Sequence, residues 1–263
     1  MPGAGEAPVG GPLRVWRERD DRLLRLRLSR PKANVVDAAM IAALDVALAA
    51  AAQAPSLRGV LLDAEGPHFS FGASVEEHLP GSVATMLARL HGLVLRILEY
   101  PVPVLVAIRG QCLGGALEVA AAGHVLFAAP DARLGQPEIV LGVFAPAASC
   151  LLPERVGRAA AEELLISGRS IDGREAHRIG LVTAVADDPA AAALAWYQEH
   201  LAKRSASSLR HAVRAARLDL VERVRAGLAR VERLYLEGLM STRDAVEGLE
   251  AFLKKRQAEW EDR

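Results

Sequence analysis

The stretch Val102–Gly123, VPVLVAIRGQCLGGALEVAAAG, decides how the rest of this chain is read. Val102–Ile108 is an apolar, β-branched run of the length expected for a buried strand. Arg109-Gly110-Gln111 reads as a turn, and Gly114-Gly115 as a tight corner from which a helix begins almost at once. The first turn of a helix has N–H groups without intrahelical partners and the positive end of the macrodipole. Glycine there lets a ligand oxygen approach the backbone closely. The corner therefore accepts anions. Glu118 follows Gly115 by three residues and so lies about one turn on, over the same face. A carboxylate beside such a corner fits proton chemistry next to a polarised carbonyl, although strand, glycine corner and helix also recur in α/β proteins for packing alone.

On the N-terminal side, Leu13–Glu18 and Arg22–Ser29 alternate apolar and charged residues around Asp20-Asp21, the pattern of a hairpin with one wet face. An Ala/Leu/Ile helix is expected from about Asp37, its N-cap, to Ala54, with Pro55 as its stop. Gly59–Asp63 reads as a short buried strand, and Glu65–Pro80, EGPHFSFGASVEEHLP, follows its carboxyl end. Ligands of α/β sheets collect there, and the Gly72-Ala73-Ser74 turn offers free N–H groups; the competing reading is a surface loop with Phe69 and Phe71 tucked inward. Ser82–Tyr100 is an amphipathic helix with Met86, Leu90, Leu93, Val94 and Ile97 on one face.

On the C-terminal side, His124–Ala129 reads as a strand. Glu138 directly follows Pro137, which places it at the start of an element. Its neighbours Ile139, Val140 and Leu141 would desolvate it and raise its pKa, which suits a group that holds a proton near neutrality. His68, His78 and His91 lack metal-ligand spacing and read as solvated or hydrogen-bonded structural residues. Ser149-Cys150 has no G-x-S-x-G elbow around it. From Pro153 onward helices are expected over 158–167, 172–179, 189–204, 207–220, 222–238 and 242–257, with a brief strand over 181–185.

Lys+Arg and Asp+Glu both total 32, so no charge excess points to nucleic acid or a membrane surface. No run is long and apolar enough to span a bilayer. The two cysteines, Cys112 and Cys150, form no CxxC or Cys/His cluster, which argues against a disulfide framework or a metal site and fits a reducing cytoplasm. Residues 1–12, MPGAGEAPVGGP, read as a disordered tail rather than a signal peptide.

RPKAN at Arg30–Asn34, HFSFGAS at His68–Ser74, the run Val104–Val143 ending in L-G-Q-P-E-I-V-L-G-V, and EGLEAFLKKR at Glu247–Arg256 together resemble the enoyl-CoA hydratase/isomerase (crotonase) family. The resemblance implies an α/β fold, a spiral of ββα turns over 13–195, and a helical C-terminal trimerisation region over 196–263. It also implies homotrimers that can pair into hexamers. The implied substrate is an acyl-CoA thioester, with CoA part of the substrate and no separate cofactor or metal. The N–H groups of Ala73 and Gly115 would form the oxyanion hole. Glu118 would be general base on the attacking water, and Glu138 would protonate the α-carbon of the enolate. Phe71, Gly72, Gly114 and Phe144 would line the acyl site, with Lys32 and Ala33 near the CoA arm.

Two departures stand out. Ser74 stands where many hydratases have Asp, and Phe144–Ser149, FAPAAS, replaces a glycine-rich turn, which would stiffen and narrow the wall. FSFGASVEEHLPG together with PEIVLGVFAPAASCLLPERVG looks like the branch of the family that hydrates cyclohexa-1,5-diene-1-carbonyl-CoA to a 6-hydroxycyclohex-1-ene-1-carbonyl-CoA. The alternatives are a general short-chain enoyl-CoA hydratase or isomerase, and a non-catalytic CoA-thioester-binding protein.

Overall fold

The computed structural model describes residues 11–263, so the tail expected over 1–12 falls almost wholly outside the described residues. The chain opens with the expected hairpin, β1 (Leu13–Glu18) and β2 (Leu23–Leu28), paired antiparallel. Asp37 accepts from Met40 N and caps α1 (Ala38–Ala51), which ends a few residues before Pro55. β3 (Gly59–Ala64) runs parallel to β2, and α2 (Val83–Leu98) carries the chain to β4 (Val104–Ile108). Where a turn was expected, Gln111–Leu113 forms β5, and α3 (Gly115–Ala122) starts immediately after the Gly114 corner.

β6 (Val125–Ala128) and β7 (Arg133–Gly135) lead through a 3₁₀ turn, Pro137–Leu141, to α4 (Pro146–Val156) and α5 (Arg158–Ser167). Next come β8 (Ser170–Asp172), α6 (Gly173–Arg178) and β9 (Ala184–Val185). α7 (Pro189–His200), α8 (Ala206–Arg233) and α9 (Arg243–Leu253) complete the chain. None of these helices is long and apolar enough to cross a membrane.

The larger sheet has the order β1-β2-β3-β4-β6-β9 and is parallel from β2 onward; the smaller has the order β5-β7-β8. Each successive turn places a strand in the large sheet, an extended piece in the small layer, and then a helix. The piece after β3 joins the small layer through a bridge between Ser70 and Cys112, and Ala73 bridges Val36. This is the expected spiral of ββα turns. Leu24, Leu26 and Leu28 face the main core under α1 and α2, while Leu61, Leu105 and Phe127 on the other face pack against Tyr197 and Leu201.

Several expectations are corrected. The charged face of β2 is not wet: Arg25 is buried, its guanidinium 2.7 Å from Asp63 on β3 and 2.9 Å from Glu18 on β1, with the Trp16 ring 5.0 Å away. Phe144–Ser149 is not a turn throughout, because Pro146 is the first residue of α4. The two helices expected over 207–220 and 222–238 are one 28-residue helix, α8, followed by a π-type turn at Leu234–Gly238. Only Ala184–Val185 of the strand expected over 181–185 pairs.

The carboxyl end of α3 is held by two arginines, Arg217 buried and Arg155 half-buried. Arg155 donates to the carbonyls of Ala121 and Gly123, and Arg217, reaching in from α8, donates to Ala122 and Gly123. Cations at a helix C-terminus satisfy its last carbonyls and oppose the negative end of its dipole. Burial pushes the Arg217 guanidinium down to about 9 and that of Arg155 to about 10, still charged at neutrality. Asp63 supplies the acceptor for both Arg25 and Arg27. Asp63→Ala removes the buried carboxylate partner of Arg25, leaving it only the half-buried Glu18, and is expected to lower stability by about 3 kcal/mol in urea unfolding; a loss within about 0.5 kcal/mol would contradict this account of β2.

Candidate active site

The corner read from the sequence opens into an apolar cavity of about 400 Å³. Gly114 has φ +52°, a conformation L side chains rarely adopt, and a Cβ there would meet Glu138 Oε1 at 2.6 Å. Glu138 therefore sits directly over the glycine corner. A Cβ at Gly115 would lie 3.0 Å from Ala73 Cβ and 3.3 Å from Ala73 N, so the first turn of α3 and the Gly72-Ala73 turn face each other closely. Among the described residues, neither the Ala73 nor the Gly115 N–H donates to a backbone carbonyl. Two free N–H groups converging on one point form an oxyanion site in outline.

Glu118 faces the same cavity and is 2% exposed. Its Oε1 accepts from Ala148 N at 2.8 Å, and the Ala147 N–H also faces it. Both donors belong to the first turn of α4, whose positive dipole end is thereby directed at the carboxylate. Proline suits this position because the first N–H of a helix has no partner to lose. Burial pushes Glu118 up, while the charge of His91 and the two α4 N–H groups oppose it.

Glu138 occupies the 3₁₀ turn at Pro137–Leu141, as its place after Pro137 implied. Burial first, and then the negative charge of Glu118, push it up to about 8. Gln136, buried beside it, donates to both Glu138 oxygens at 3.1 Å when its amide nitrogen is turned toward them. The cavity thus holds two carboxyls of unequal environment, the pattern that separates an acid from a base.

Phe71, Gly72, Ala73, Gly114, Gly115, Glu118, Glu138 and Phe144 all line the cavity. Lys32 and Ala33 do not; Lys32 is exposed, and Ala33 is tied to the wall through its carbonyl, which accepts from Phe71 N. Phe69 is buried, as the loop reading required, but Phe71 is not tucked inward and stacks edge-on against His68 at 4.9 Å. Phe144 packs against Tyr235 at 5.1 Å, which fixes the far wall.

Sequence reasoning missed His78, which lines the cavity and donates through Nδ1 to Ser74 O. Burial pushes its imidazole down, toward neutrality. It also missed Leu87 and Leu90 of α2 and Leu249 and Phe252 of α9 as wall residues. Leu90 was visible as part of an apolar helical stripe; no local signal distinguished a stripe that faces a cavity from one that faces the core. Cys112 is buried and unbonded to Cys150, and burial pushes its thiol up, which makes it inert rather than nucleophilic.

The residues 18–263 match the family model for enoyl-CoA hydratase/isomerase. The cyclohexa-1,5-dienecarbonyl-CoA hydratase of Thauera aromatica is 70% identical over 255 residues, covering 97% of this chain and 99% of that one. A probable enoyl-CoA hydratase of Bacillus subtilis is 34% identical over 89% of this chain and 93% of its own. Among solved structures, an enoyl-CoA hydratase from Mycobacterium avium subsp. paratuberculosis superposes with a TM-score of 0.84 at 26% identity, covering 97% of this chain and all of that one.

An acid that must be protonated and a base that must be ionised set a bell-shaped rate profile. With Glu138 near 8, kcat/KM is expected to fall about tenfold per pH unit above that value. Glu118→Gln or Glu138→Gln is expected to slow turnover by about 10²–10⁴-fold with little change in melting temperature; retention of full activity by either variant would remove it from the site.

Proposed function

Since the chain belongs to the enoyl-CoA hydratase/isomerase family and is a hydro-lyase of the enoyl-CoA hydratase type, we propose that its substrate is cyclohexa-1,5-diene-1-carbonyl-CoA. The observation that carries this choice of ring is the near full-length likeness to the Thauera enzyme of that name. The cavity fits this ring: Phe144, packed against Tyr235, lines an apolar wall, and Phe144–Ser149 stands where, by the resemblance, ordinary hydratases have a glycine-rich turn.

The thioester oxygen lies between the N–H groups of Ala73 and Gly115. Each such donor contributes about 2.7–4 kcal/mol as negative charge develops on that oxygen. Glu118, ionised, takes a proton from water, and the hydroxide oxygen bonds to C2 of the ring, the carbon β to the thioester. The C1=C2 pair of electrons moves onto the thioester as an enolate that stays conjugated with C5=C6. Such a dienolate is nucleophilic at both C1 and C5. Protonation at C1 would leave the remaining double bond out of conjugation with the thioester.

Protonation at C5 moves the double bond to C1=C6 and yields the conjugated 6-hydroxycyclohex-1-ene-1-carbonyl-CoA. Glu138 supplies that proton, and the family's α-carbon step becomes delivery to the opposite side of the ring. One water has been added, with its hydroxyl on the ring and its proton on Glu118. The proton on Glu118 must then pass to Glu138 before the next cycle.

No cofactor is needed for this chemistry, and CoA enters as part of the substrate. Lys32 and Ala33, outside the cavity, would meet the CoA arm. The C-terminal helices serve a homotrimer or a hexamer built from two trimers, and residues 13–195 and 196–263 are the core and trimerisation regions of that assembly. The free cysteines fit a cytoplasmic setting.

An ultraviolet progress curve comparing cyclohexa-1,5-diene-1-carbonyl-CoA with crotonyl-CoA, with products weighed by mass spectrometry, tests the reading. The expected result is strong preference for the cyclic diene with gain of one water. Preference for crotonyl-CoA would return the protein to the general short-chain hydratases.

A further inference from the structure

His78 is the polar side chain of the cavity that the hydration chemistry leaves unused. Among the described residues, the side chains lining the cavity are apolar except for those of Glu118, Glu138 and His78. The two glutamates are the base and the acid of the proposed reaction. His78 ends the single 3₁₀ turn Glu76–His78, which follows the Gly72-Ala73-Ser74 turn and on which α2 and α9 both pack.

The tautomer of His78 follows from its hydrogen bond. Nδ1 lies 2.7 Å from the carbonyl oxygen of Ser74. A carbonyl only accepts, so the ring proton sits on Nδ1, and Nε2 of the neutral imidazole keeps a lone pair. Burial favours that neutral form. Nε2 makes no hydrogen bond to the described residues, yet it is not sealed in protein, unlike the orphaned Nε2 atoms of His91 and His124. The Nδ1 contact braces the Ser74 turn and accounts for one nitrogen only. An acceptor opening on an otherwise apolar cavity is costly unless a ligand or a water fills its lone pair. Such isolated polar groups are what set orientation and specificity in apolar pockets.

An unsubstituted cyclohexadiene ring has no donor to offer Nε2. In the reaction above water bonds to C2, the proton goes to C5 and the double bond settles at C1=C6, while C3 and C4 keep all their bonds. A hydroxyl at C3 or C4 therefore leaves the conjugated diene and its hydration intact. We propose that His78 is a specificity residue that admits a second class of substrate, cyclic dienoyl-CoA thioesters hydroxylated at C3 or C4, by accepting a hydrogen bond from that hydroxyl at Nε2. Elsewhere on the lining the hydroxyl meets apolar side chains or the two glutamates that the reaction occupies.

Recognition of the hydroxyl rests on the cavity holding a ring thioester, as read above, and binding measurements separate the two. Benzoyl-CoA, 3-hydroxybenzoyl-CoA and 4-hydroxybenzoyl-CoA are ring thioesters whose hydration would cost their aromaticity, so binding is read without turnover. The two hydroxyls sit on the ring carbons that correspond to C3 and C4. Dissociation constants are measured by titration calorimetry with the whole chain, as wild type and as His78→Leu. In the wild type one hydroxylated thioester is expected to bind about five- to tenfold tighter than benzoyl-CoA. In His78→Leu that gap is expected to close to within about twofold. Should His78→Leu fail to fold, His78→Met is read in the same way.

Equal affinity of the three thioesters in the wild type overturns the proposal and leaves the ring-thioester reading in place. A gap that persists without the imidazole overturns it too, because a histidine that only braces the Ser74 turn would weaken all three thioesters alike. Failure of all three to bind the wild type counts against a ring thioester as the ligand of this cavity, and the proposal falls with it.

Discussion

Two helix N-termini open into one apolar cavity, and the rest of the site depends on that convergence. α3 begins at Gly115, and its first turn faces Ala73 closely. α4 begins at Pro146 and gives the N–H groups of Ala147 and Ala148 to Glu118. Negative charge is costly in a low-dielectric cavity, and helix N-termini are the backbone's own means of accepting it. In the proposed reaction one end would serve charge that develops on the thioester and the other a charge present beforehand. Glu138, set over Gly114 with Gln136 beside it, is pushed up by burial and by the Glu118 charge.

Holding α3 in place falls to distant parts of the chain. Its strand neighbour β4 lies in the middle of the larger sheet, and Arg155 and Arg217 close on its far end. Arg217 belongs to α8, the same helix that brings Glu232 to His91 and, just beyond its end, Tyr235 to Phe144. The long C-terminal helix is thus tied both to the back of the catalytic helix and to the wall of the cavity. α9 adds Leu249 and Phe252 to the cavity lining. Substitutions on α8 can therefore reach the chemistry without touching substrate.

Much of this arrangement was legible in the sequence, for physical reasons. Gly114-Gly115 followed by Glu118 is a local pattern, and a positive-φ corner with a helix after it needs few residues to specify. Pro137 before Glu138 was equally local. The three-residue strands β5, β7 and β8 were not legible, because alternation over so few residues carries no period. Phe144–Ser149 was read as a wall from its side chains, and Phe144 lines the cavity as read; the backbone N–H groups that the same segment turns on Glu118 left no mark in the sequence. Arg25 read as solvent-facing because Asp63, which buries it, lies 38 residues away. His91 and Glu232 are 141 residues apart, and only the packing of α2 on α8 makes them a pair.

The most direct measurement is a crystal structure with 6-hydroxycyclohex-1-ene-1-carbonyl-CoA bound. The account predicts the thioester oxygen about 2.7–3.1 Å from both Ala73 N and Gly115 N, the product hydroxyl against Glu118, and the new ring methylene facing Glu138. A thioester oxygen bound away from those two N–H groups, or a ring turned so that Glu118 meets the methylene, would contradict it.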